Sequence, residues 1–475
     1  MPKCIIEGRE VEFKPGENLI EVAKRAGVEI PYFCYHPGLS VVAQCRMCAV
    51  EVGMPGKDGT IQMMPKLQTA CSTPPADGMH VKAKTEKVLQ NQKSVMEFLL
   101  VNHPLDCPVC DKSGECDLQD NSYRHGDAYM RTTEERRTYV DLDMGPVIKK
   151  NMNRCIHCTR CIRFGDEVAG IREMVAIQRG NNTEITTIDG LPLETEYAGN
   201  YADICPTGSL TLKDFRFKKR AWFLKKTPTV CEGCSRGCNI ELHHEANVIY
   251  RTIPRTNMEI NRHWICDEGR FNFHYIHEAE RVTEPAIGTS DALSMSGWKE
   301  AVTTARDALK GKKLAVLAGS DLTQEEAKLL LEASPKLFGG APVFHFGTAG
   351  VTQSAQDDAA DALLKRKSKT SNLHGLEKLG IRGLEALPAG TQAVVVVRGG
   401  RAQLPALKGV QAVGVGVFKK EEVKGFVAVL PGQAFAEKDG SVVNFQGVEQ
   451  RMKRAISPPR ECKSLSEVLM MWSNY

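Results

Sequence analysis

The sequence lacks long apolar runs, is poor in aromatic residues and has little net charge. Its longest apolar stretches, such as residues 393–397, reach about a quarter of the roughly 20 residues that span a bilayer. Aromatic residues are 6% of the 475 residues and the formal net charge is +4, which argues against nucleic-acid binding. Because the first ten residues hold no apolar signal segment and no twin arginine, we expect a cytoplasmic chain without a direct membrane span.

Cysteine is too scarce for a disulfide scaffold. The chain has 17 cysteines in 475 residues, well below the roughly 8–10% of small disulfide-rich proteins. A chain of this length also buries several cores without cross-links. In a reducing cytoplasm, clustered thiols serve as metal ligands or catalytic groups more often than as disulfides.

Most of the cysteines fall into four groups along the chain. The first group is Cys34, Cys45, Cys48 and Cys71; the second is Cys107, Cys110 and Cys116; the third is Cys155, Cys158, Cys161 and Cys205; the fourth is Cys231, Cys234, Cys238 and Cys266. The second group has only three thiols, and we predict that His103 is its fourth ligand. Cys4 and Cys462 are left over, and each is expected to be a small buried hydrophobe.

The first group predicts a [2Fe–2S] cluster in a β-grasp ferredoxin. Residues 3–13 predict a hairpin, and a helix is expected from Glu17 to Gly27. Plant-type ferredoxins bind their cluster with one thiol, then a close pair of thiols, then a distant thiol along the chain. The first group has this arrangement. The spacing departs from the plant pattern, and residues 52–66 are predicted to form an inserted surface hairpin. A structural zinc site is the alternative.

The second group follows a predicted amphipathic helix. The apolar positions of that helix are Val88, Leu89, Val95, Met96, Leu99 and Leu100. It should end near His103, because Pro104 disfavours helical geometry in the residue before it. The pattern His-x3-Cys-x2-Cys-x5-Cys predicts a [4Fe–4S] site in which the neutral imidazole removes one negative charge and raises the reduction potential. The alternative is a solvated loop histidine.

The third group has the Cys-x2-Cys-x2-Cys spacing of bacterial ferredoxins. Its nearby fourth thiol is absent, so the remote Cys205-Pro206 is predicted to close a single [4Fe–4S] site. Three arginines interleave with these ligands: Arg154, Arg160 and Arg163. They either offset the negative charge of a cluster or are solvated loop charges.

The fourth group surrounds a β-rich stretch, NIELHHEANVIYR. Its Cys-x2-Cys-x3-Cys pattern and distant Cys266 suit either a [4Fe–4S] cluster or zinc. Four cysteine groups along one chain favour clusters, because several redox centres together form a conduction path. A zinc-dependent scaffold remains the competing class.

From about Trp298 the sequence alternates between helix and strand, which predicts an open parallel α/β architecture. We predict a helix over 298–309, strands over 314–317 and 393–397, and a capping box from Thr323 to Glu326. Residues 350–391 and 398–425 are expected to be surface connections with short helices. Neither a dinucleotide-binding nor a Walker motif is present.

The motifs PYFCYHPGL, QCRMCAVEV, HPLDCPVCDKSGECDLQD, RCIHCTRC, DICPTGSL and CEGCSRGCNI occur in this order. Together they resemble the large iron–sulfur subunit family of respiratory NADH:quinone oxidoreductase. SGWKEAVTTARDAL and LPGQAFAEKDGSVVNFQGVEQR are similar to blocks of molybdopterin oxidoreductases. The resemblance implies an α+β and α/β multidomain chain with five domains: a [2Fe–2S] β-grasp domain (1–82), a His(Cys)3 [4Fe–4S] segment (83–125), a ferredoxin-like [4Fe–4S] domain (126–223), a small β-rich [4Fe–4S] domain (224–280) and a shortened molybdopterin-oxidoreductase-like domain (281–475).

By resemblance, the chain holds one [2Fe–2S] and three [4Fe–4S] clusters, with the second and third groups on the main electron path and the fourth off it. Glu268 stands where formate dehydrogenases have a lysine, and the part after Cys266 is short, so no molybdopterin is expected. The resemblance implies an oxidoreductase subunit without catalytic residues or its own NADH site.

The implied partners are a flavin/NADH-binding subunit, a small [2Fe–2S] subunit, a two-cluster ferredoxin-like subunit and quinone-module subunits. The implied location is peripheral, on the cytoplasmic face of the inner membrane. The alternative is the iron–sulfur subunit of a cytoplasmic NAD-linked hydrogenase or formate dehydrogenase.

Overall fold

The structure is a computed structural model that describes residues 1–288, 293–348, 350–351 and 358–474. The chain divides into two compact units, Met1–Trp222 and Phe223–Tyr475. No helix in the described ranges is both long enough and apolar enough to cross a membrane.

The first unit opens with a sheet built around a hairpin. Its strands are β1 (Lys3–Ile6), β2 (Arg9–Glu12), β3 (Ala49–Pro55), β4 (Ile61–Met63), β5 (Gln68–Thr69) and β6 (His80–Lys82), in the order β2-β1-β6-β3-β4 with β5 paired to β3. The predicted hairpins at 3–13 and 52–66 are confirmed by the antiparallel pairs β1–β2 and β3–β4. Helix α1 (Leu19–Arg25) begins later than predicted, because the Asn18 side chain caps it by accepting from Ile20 N and Glu21 N.

Two helices flank the second group. Helix α2 (Glu86–Leu100) is capped by Thr85, and its Val88 and Met96 are fully buried. The predicted apolar face is wrong at Leu89, which is 42% exposed. The helix ends three residues before His103, as expected from Pro104, and His103 N donates to Leu100 O at 3.1 Å. A 3-10 turn over Cys107–Val109 leads to α3 (Asp117–His125).

Short elements surround the third group. They are β7 (Ile148–Lys150), α4 (Arg160–Phe164), β8 (Met174–Ile177), β9 (Glu184–Thr187), α5 (Gly199–Ile204) and β10 (Leu210–Leu212). Strands β7 and β10 pair antiparallel, as do β8 and β9. The pairing of β7 with β10 brings the segment before Cys155 beside the segment after Cys205.

The second unit begins with a three-stranded antiparallel sheet of β11 (Lys225–Val230), β12 (Asn239–Glu245) and β13 (Val248–Pro254), which confirms the predicted β-rich stretch. The one-turn helix α6 (Asp267–Phe271) follows directly after Cys266.

A large sheet forms the rest of the second unit. Its strands are β14 (Ala286–Gly288), β15 (Leu293–Met295), β16 (Leu314–Gly319), β17 (Val343–Phe346), β18 (Arg382–Gly383), β19 (Ala393–Arg398), β20 (Gln411–Gly416) and β21 (Ala428–Pro431), in the order β15-β14-β21-β20-β19-β16-β17-β18. Strands β16 to β21 are mutually parallel, as predicted, and β14 and β15 extend one edge antiparallel. The accompanying elements are α7 (Trp298–Leu309), α8 (Gln324–Leu337), α9 (Leu373–Lys378), β22 (Gly440–Val443), β23 (Glu449–Met452) and α10 (Leu465–Asn474).

The predicted helix over 298–309, the two predicted strands and the capping box are confirmed, with the strands slightly longer than expected. The expectation of surface connections over 398–425 is wrong, because β20 lies inside the sheet with five of its six residues buried. A Cβ at Gly414 would lie 3.1 Å from Phe418 and 3.2 Å from Phe426. The glycine that weakens the strand pattern in the sequence therefore makes room for two aromatic rings.

Candidate metal centres

The four thiols of the first group converge, with Cys48 and Cys71 packed in the apolar core that α1 shares with the sheet of the first unit. The Cys34 sulfur is in hydrogen-bonding contact with Cys45 and Cys71, and Cys71 also contacts Cys48. Hydrogen bonds from Cys45 and Cys71 lower the pKa of Cys34 to about 2, and the same contacts raise the pKa of both partners. The group is thus a compact set of four sulfurs in which Cys34, Cys48 and Cys71 are almost fully buried.

The second group comes together with its predicted histidine. His103, Cys107 and Cys116 line one groove, and Cys110 acts electrostatically on Cys116. Burial lowers the pKa of His103 to about 4, so its imidazole is neutral at pH 7, the form that binds metals. Its Nδ1 is buried and has no hydrogen-bond partner, which leaves that nitrogen available to a metal.

The loop that follows Cys205, the last thiol of the third group, lies against the second group. A Cβ added at Gly208 would lie only 2.2 Å from the Cys110 sulfur, so only glycine fits there. On the same side, the Cys116 thiol donates to Pro206 O at 3.6 Å. The second and third groups are therefore neighbours.

The four thiols of the third group line one small cavity, together with Ile156 and Pro206. Burial raises the pKa of Cys155 to about 12 and that of Cys158 to about 11. Of these thiols Cys158 is buried and the other three are partly buried, so four thiols with little access to water surround one space. That is a good arrangement for ligands whose charge a metal centre offsets.

The arginines of this region are buried, not solvated. Arg154, Arg160 and Arg163 are 6%, 6% and 7% exposed, so the alternative of solvated loop charges is wrong. Sequence reasoning could not locate their partners, which are distant in the chain: Arg154 pairs with Asp106 at 2.9 Å, while Arg160 donates to Tyr35 O at 2.7 Å.

The fourth group closes around the turn from β11 to β12. Cys231 N donates to Cys238 O at 2.8 Å, and Cys266 lies at the start of α6. A Cβ at Gly269 would lie 2.9 Å from the Cys231 sulfur and 3.5 Å from that of Cys266. All four thiols are buried, and burial raises the pKa of Cys266 to about 12.

Glu268 follows two residues after Cys266 in the same turn of α6. Its carboxylate forms an ion pair with Lys369 Nζ at 2.6 Å. No sequence motif pointed to Lys369, because the two residues are about a hundred positions apart.

The donor sets fit iron–sulfur clusters: three sets of four thiols, and one of three thiols with an unpartnered imidazole nitrogen. In the described part of the chain, no three His, Cys, Asp or Glu side chains converge at the spacing of ligands around one ion.

The two remaining cysteines are structural. Cys4 is fully buried in β1, and the Cys462 thiol donates to Thr283 O at 3.7 Å while accepting from Arg281 at 3.9 Å. Both are small buried side chains, as predicted.

Family models match the chain in the order of the four groups. A 2Fe-2S iron-sulfur cluster binding domain matches residues 3–86, and the NADH-ubiquinone oxidoreductase-G iron-sulfur binding region matches 92–128. The ferredoxin-like domain of NADH-quinone oxidoreductase subunit 3 matches 145–211, and the molybdopterin oxidoreductase Fe4S4 domain matches 224–278. These matches indicate binding of [2Fe–2S] and [4Fe–4S] clusters and confirm the predicted order of domain types.

Individual proteins match longer stretches of this chain than the family models do. The G subunit of the NADH-quinone oxidoreductase of Rickettsia felis is 41% identical over 335 residues, which are 70% of this chain and 48% of that protein. The NADH-ubiquinone oxidoreductase 75 kDa subunit of Reclinomonas americana is 34% identical over 376 residues, 78% of this chain and 53% of that protein. The chain belongs to this family of NADH-quinone oxidoreductase iron–sulfur subunits. It spans about half the length of these two relatives.

A plant relative also matches. The mitochondrial NADH dehydrogenase [ubiquinone] iron-sulfur protein 1 of Solanum tuberosum is 37% identical over 346 residues, 72% of this chain and 45% of that protein. Among solved structures, an NAD+-reducing [NiFe]-hydrogenase in the H2-reduced state matches 46% of this chain and 91% of its own, with 28% identity and a TM-score of 0.39.

Proposed function

We propose that this chain carries electrons within an NADH:quinone oxidoreductase, from an NADH-oxidising flavin subunit toward quinone. The observation that carries the proposal is the convergence of all four cysteine groups, each inside a region that a matching iron–sulfur family model covers. Bound clusters supply one-electron redox chemistry. The protein's part is to hold the ligands, bury them and set the charge around them.

The proposed ligand sets follow the groups. One [2Fe–2S] cluster is assigned to Cys34, Cys45, Cys48 and Cys71, and three [4Fe–4S] clusters to His103 with Cys107, Cys110 and Cys116, to Cys155, Cys158, Cys161 and Cys205, and to Cys231, Cys234, Cys238 and Cys266. The five domains expected from the sequence, with boundaries after residues 82, 125, 223 and 280, belong to the same proposal.

The contacts between groups support a path through the first unit. The Arg154 guanidinium, next to Cys155, pairs with Asp106, next to Cys107. The close approach of Gly208 to Cys110 joins the same two loops. The fourth group lies in the other compact unit, and we assign it a place off the main path because the family resemblance implies one.

For the second unit we propose a scaffold without molybdopterin. Open α/β sheets bind ligands at the carboxyl ends of strands where the strand order reverses, here between β16 and β19. In this chain the Asp321 carboxylate lies at that position. One of its oxygens accepts from Gly399 N at 2.9 Å and the other from Ala402 N at 2.7 Å. The crevice is thus closed by the chain's own hydrogen bonds.

The proposed partners are a flavin/NADH-binding subunit, a small [2Fe–2S] subunit, a two-cluster ferredoxin-like subunit and subunits of the quinone module. The proposed location is the peripheral arm of the complex, on the cytoplasmic face of the inner membrane. None of this chain's residues is proposed to touch NADH or quinone.

Anaerobic reconstitution of the full chain tests the function. We expect about 14 iron atoms and equal acid-labile sulfide, by the stoichiometry of one [2Fe–2S] and three [4Fe–4S] clusters. Dithionite should reduce the clusters, as seen by EPR, whereas NADH alone should leave them oxidised. Bound zinc without sulfide, or bleaching by NADH without a partner subunit, would contradict the proposal.

The ligand role of His103 is tested in the same preparation. The His103→Ala variant should lose or remodel one [4Fe–4S] EPR signal, because three thiols then lack their fourth partner. The matched control is His125→Ala in α3, which lies outside the ligand sets and should keep every signal. An unchanged spectrum for the first variant would remove His103 from the ligand set.

A further inference from the structure

The ligand loops of the first and third groups meet across a buried arginine. Arg163 Nη2 donates to Cys34 O at 2.6 Å and to Cys158 O at 3.2 Å, and its Nη1 donates to Ser40 O. One side chain therefore contacts the backbone of a ligand from each group. Arg163 reaches these positions because it lies in α4, which begins two residues after Cys158.

A second arginine of α4 makes a parallel bridge. Arg160 Nη2 donates to Tyr35 O at 2.7 Å and its Nη1 to Ile204 O at 3.0 Å, so it joins the residue after Cys34 to the residue before Cys205. The Gln44 side chain also donates to Thr159 Oγ1 at 3.3 Å. These contacts hold the two ligand loops in one fixed arrangement.

The charge of Arg163 has no carboxylate partner. Its three hydrogen bonds all go to backbone carbonyls, and no ion pair in the described part of the chain includes it. The negative charge of Glu167 also acts on Arg163, but its carboxylate forms no ion pair with it and accepts instead from Ser40 N at 2.8 Å and from the Ser40 hydroxyl. Arg154 differs, because its pairing with Asp106 makes it part of a neutral pair.

Burying a cation that has no ion-pair partner destabilises the folded chain, so further negative charge close to Arg163 stabilises it. Four thiolates around an iron–sulfur core supply it, since their charge exceeds that of the core. The Arg163 Nε is a buried donor without a protein acceptor, and it is available for a hydrogen bond to sulfur. Hydrogen bonds to sulfur and local charge are the means by which proteins tune cluster potentials.

We propose that Arg163 is a counter-charge shared by the clusters of the first and third groups and that it raises the reduction potentials of both. This inference rests on the proposed function, because it requires clusters at both sites. Reduction adds an electron to a cluster, and a fixed positive charge stabilises the reduced form. One residue thus keeps two neighbouring potentials high together and positions their ligand loops.

EPR-monitored redox titration of the reconstituted full chain tests the proposal. In Arg163→Gln, the [2Fe–2S] signal and one [4Fe–4S] signal should both move to lower potential, each by about 59 mV, which is about tenfold in a one-electron equilibrium constant. Arg163→Lys keeps the charge and should restore most of both shifts. The control is Arg172→Gln, whose exposed guanidinium pairs with Asp166 at 2.9 Å and should shift neither signal.

Unchanged midpoints in Arg163→Gln, or a shift of one signal only, would overturn the shared role. If Arg163→Gln fails to retain the clusters, Arg163→Lys distinguishes the two roles of the side chain. Retained clusters with midpoint potentials near the original values would support the charge role. Lost clusters would contradict it and leave Arg163 a hydrogen-bonding role alone. Failure of the proposed function is distinguishable, because the unsubstituted chain would then show no cluster signals to titrate.

Discussion

The two units both hold cysteine groups, but they differ in what surrounds the cysteines. In the first unit, one buried cluster includes proposed ligands of three groups as part of the core: Phe33, Cys34, Met47, Met96, Cys116, Leu118, Ile156 and Cys158. In the described part of the second unit, the two apolar cores on the faces of the large sheet contain no cysteine. The proposed ligands are thus part of an apolar core in the first unit and lie outside the two sheet cores in the second.

The central strand of the second unit shows why its sheet needs no metal. All six residues of β19 are buried, and four of them are valines that pack into the cores on the two faces. Burial of each valine contributes about 1.5–3 kcal/mol. In the first unit the elements around the third group are strands of three or four residues and helices of five or six.

Removal of iron should therefore affect the units unequally, and this is the largest effect we expect. After anaerobic chelation of the reconstituted chain, amide hydrogens in the segments 155–164 and 204–212 should exchange faster, because the bonds that joined these ligands are gone. Amides of β19 and β20 should keep their protection. Hydrogen–deuterium exchange with mass spectrometry measures both.

The untreated reconstituted chain, taken through the same buffers, is the control for that measurement. Equal loss of protection in both units would show that the sheet of the second unit also depends on the clusters. Equal protection before and after chelation would show that the short elements around the third group hold their structure without metal.

Matched glycine substitutions sharpen the comparison. Gly208→Ala places a Cβ 2.2 Å from the Cys110 sulfur, whereas Gly269→Ala places one 2.9 Å from the Cys231 sulfur. The first overlap must displace a ligand within a shared core, so the EPR signal of the second group should be lost or strongly reduced. The second overlap is smaller, and we expect a changed line shape of the fourth-group signal with the iron content kept.

Gly297→Ala is the control for both glycine variants, since an added Cβ there meets no atom within 4 Å. It should leave all signals unchanged. An intact second-group signal in Gly208→Ala would contradict the close contact between the loops of the second and third groups.

The parts of this fold that follow from local sequence were predictable. The spacing of apolar residues and the capping pair determine α7 and the start of α8, and cysteine spacing alone separates the four groups. Contacts between distant segments were not predictable, such as that of Arg163 with Cys34, because one sequence records no partner for a buried charge. Strand β20 was missed for a related reason, since its Gly414 is explained only by rings packed on it from other segments.

The smallest effect we expect comes from the cap of α8. The Thr323 hydroxyl accepts from Glu326 N at 3.2 Å, and the Glu326 carboxylate accepts from Thr323 N at 2.9 Å. Thr323→Ala should cost about 1 kcal/mol, since one backbone donor at the helix start loses its partner. For a unit of this size, that loss lowers the Tm by about 2–4 °C.

Calorimetry of the full chain measures this shift, with Thr323→Ser keeping the hydroxyl and Lys328→Ala changing an exposed residue of the same helix as controls. Because the cap lies at the start of α8 in the second unit, the EPR signals of the first three groups should stay as they are while the Tm of the second unit falls. A single calorimetric transition that shifts as a whole would mean that the two units unfold as one. The contrast between a core that includes proposed ligands and a cysteine-free core would then describe local packing without separate stability.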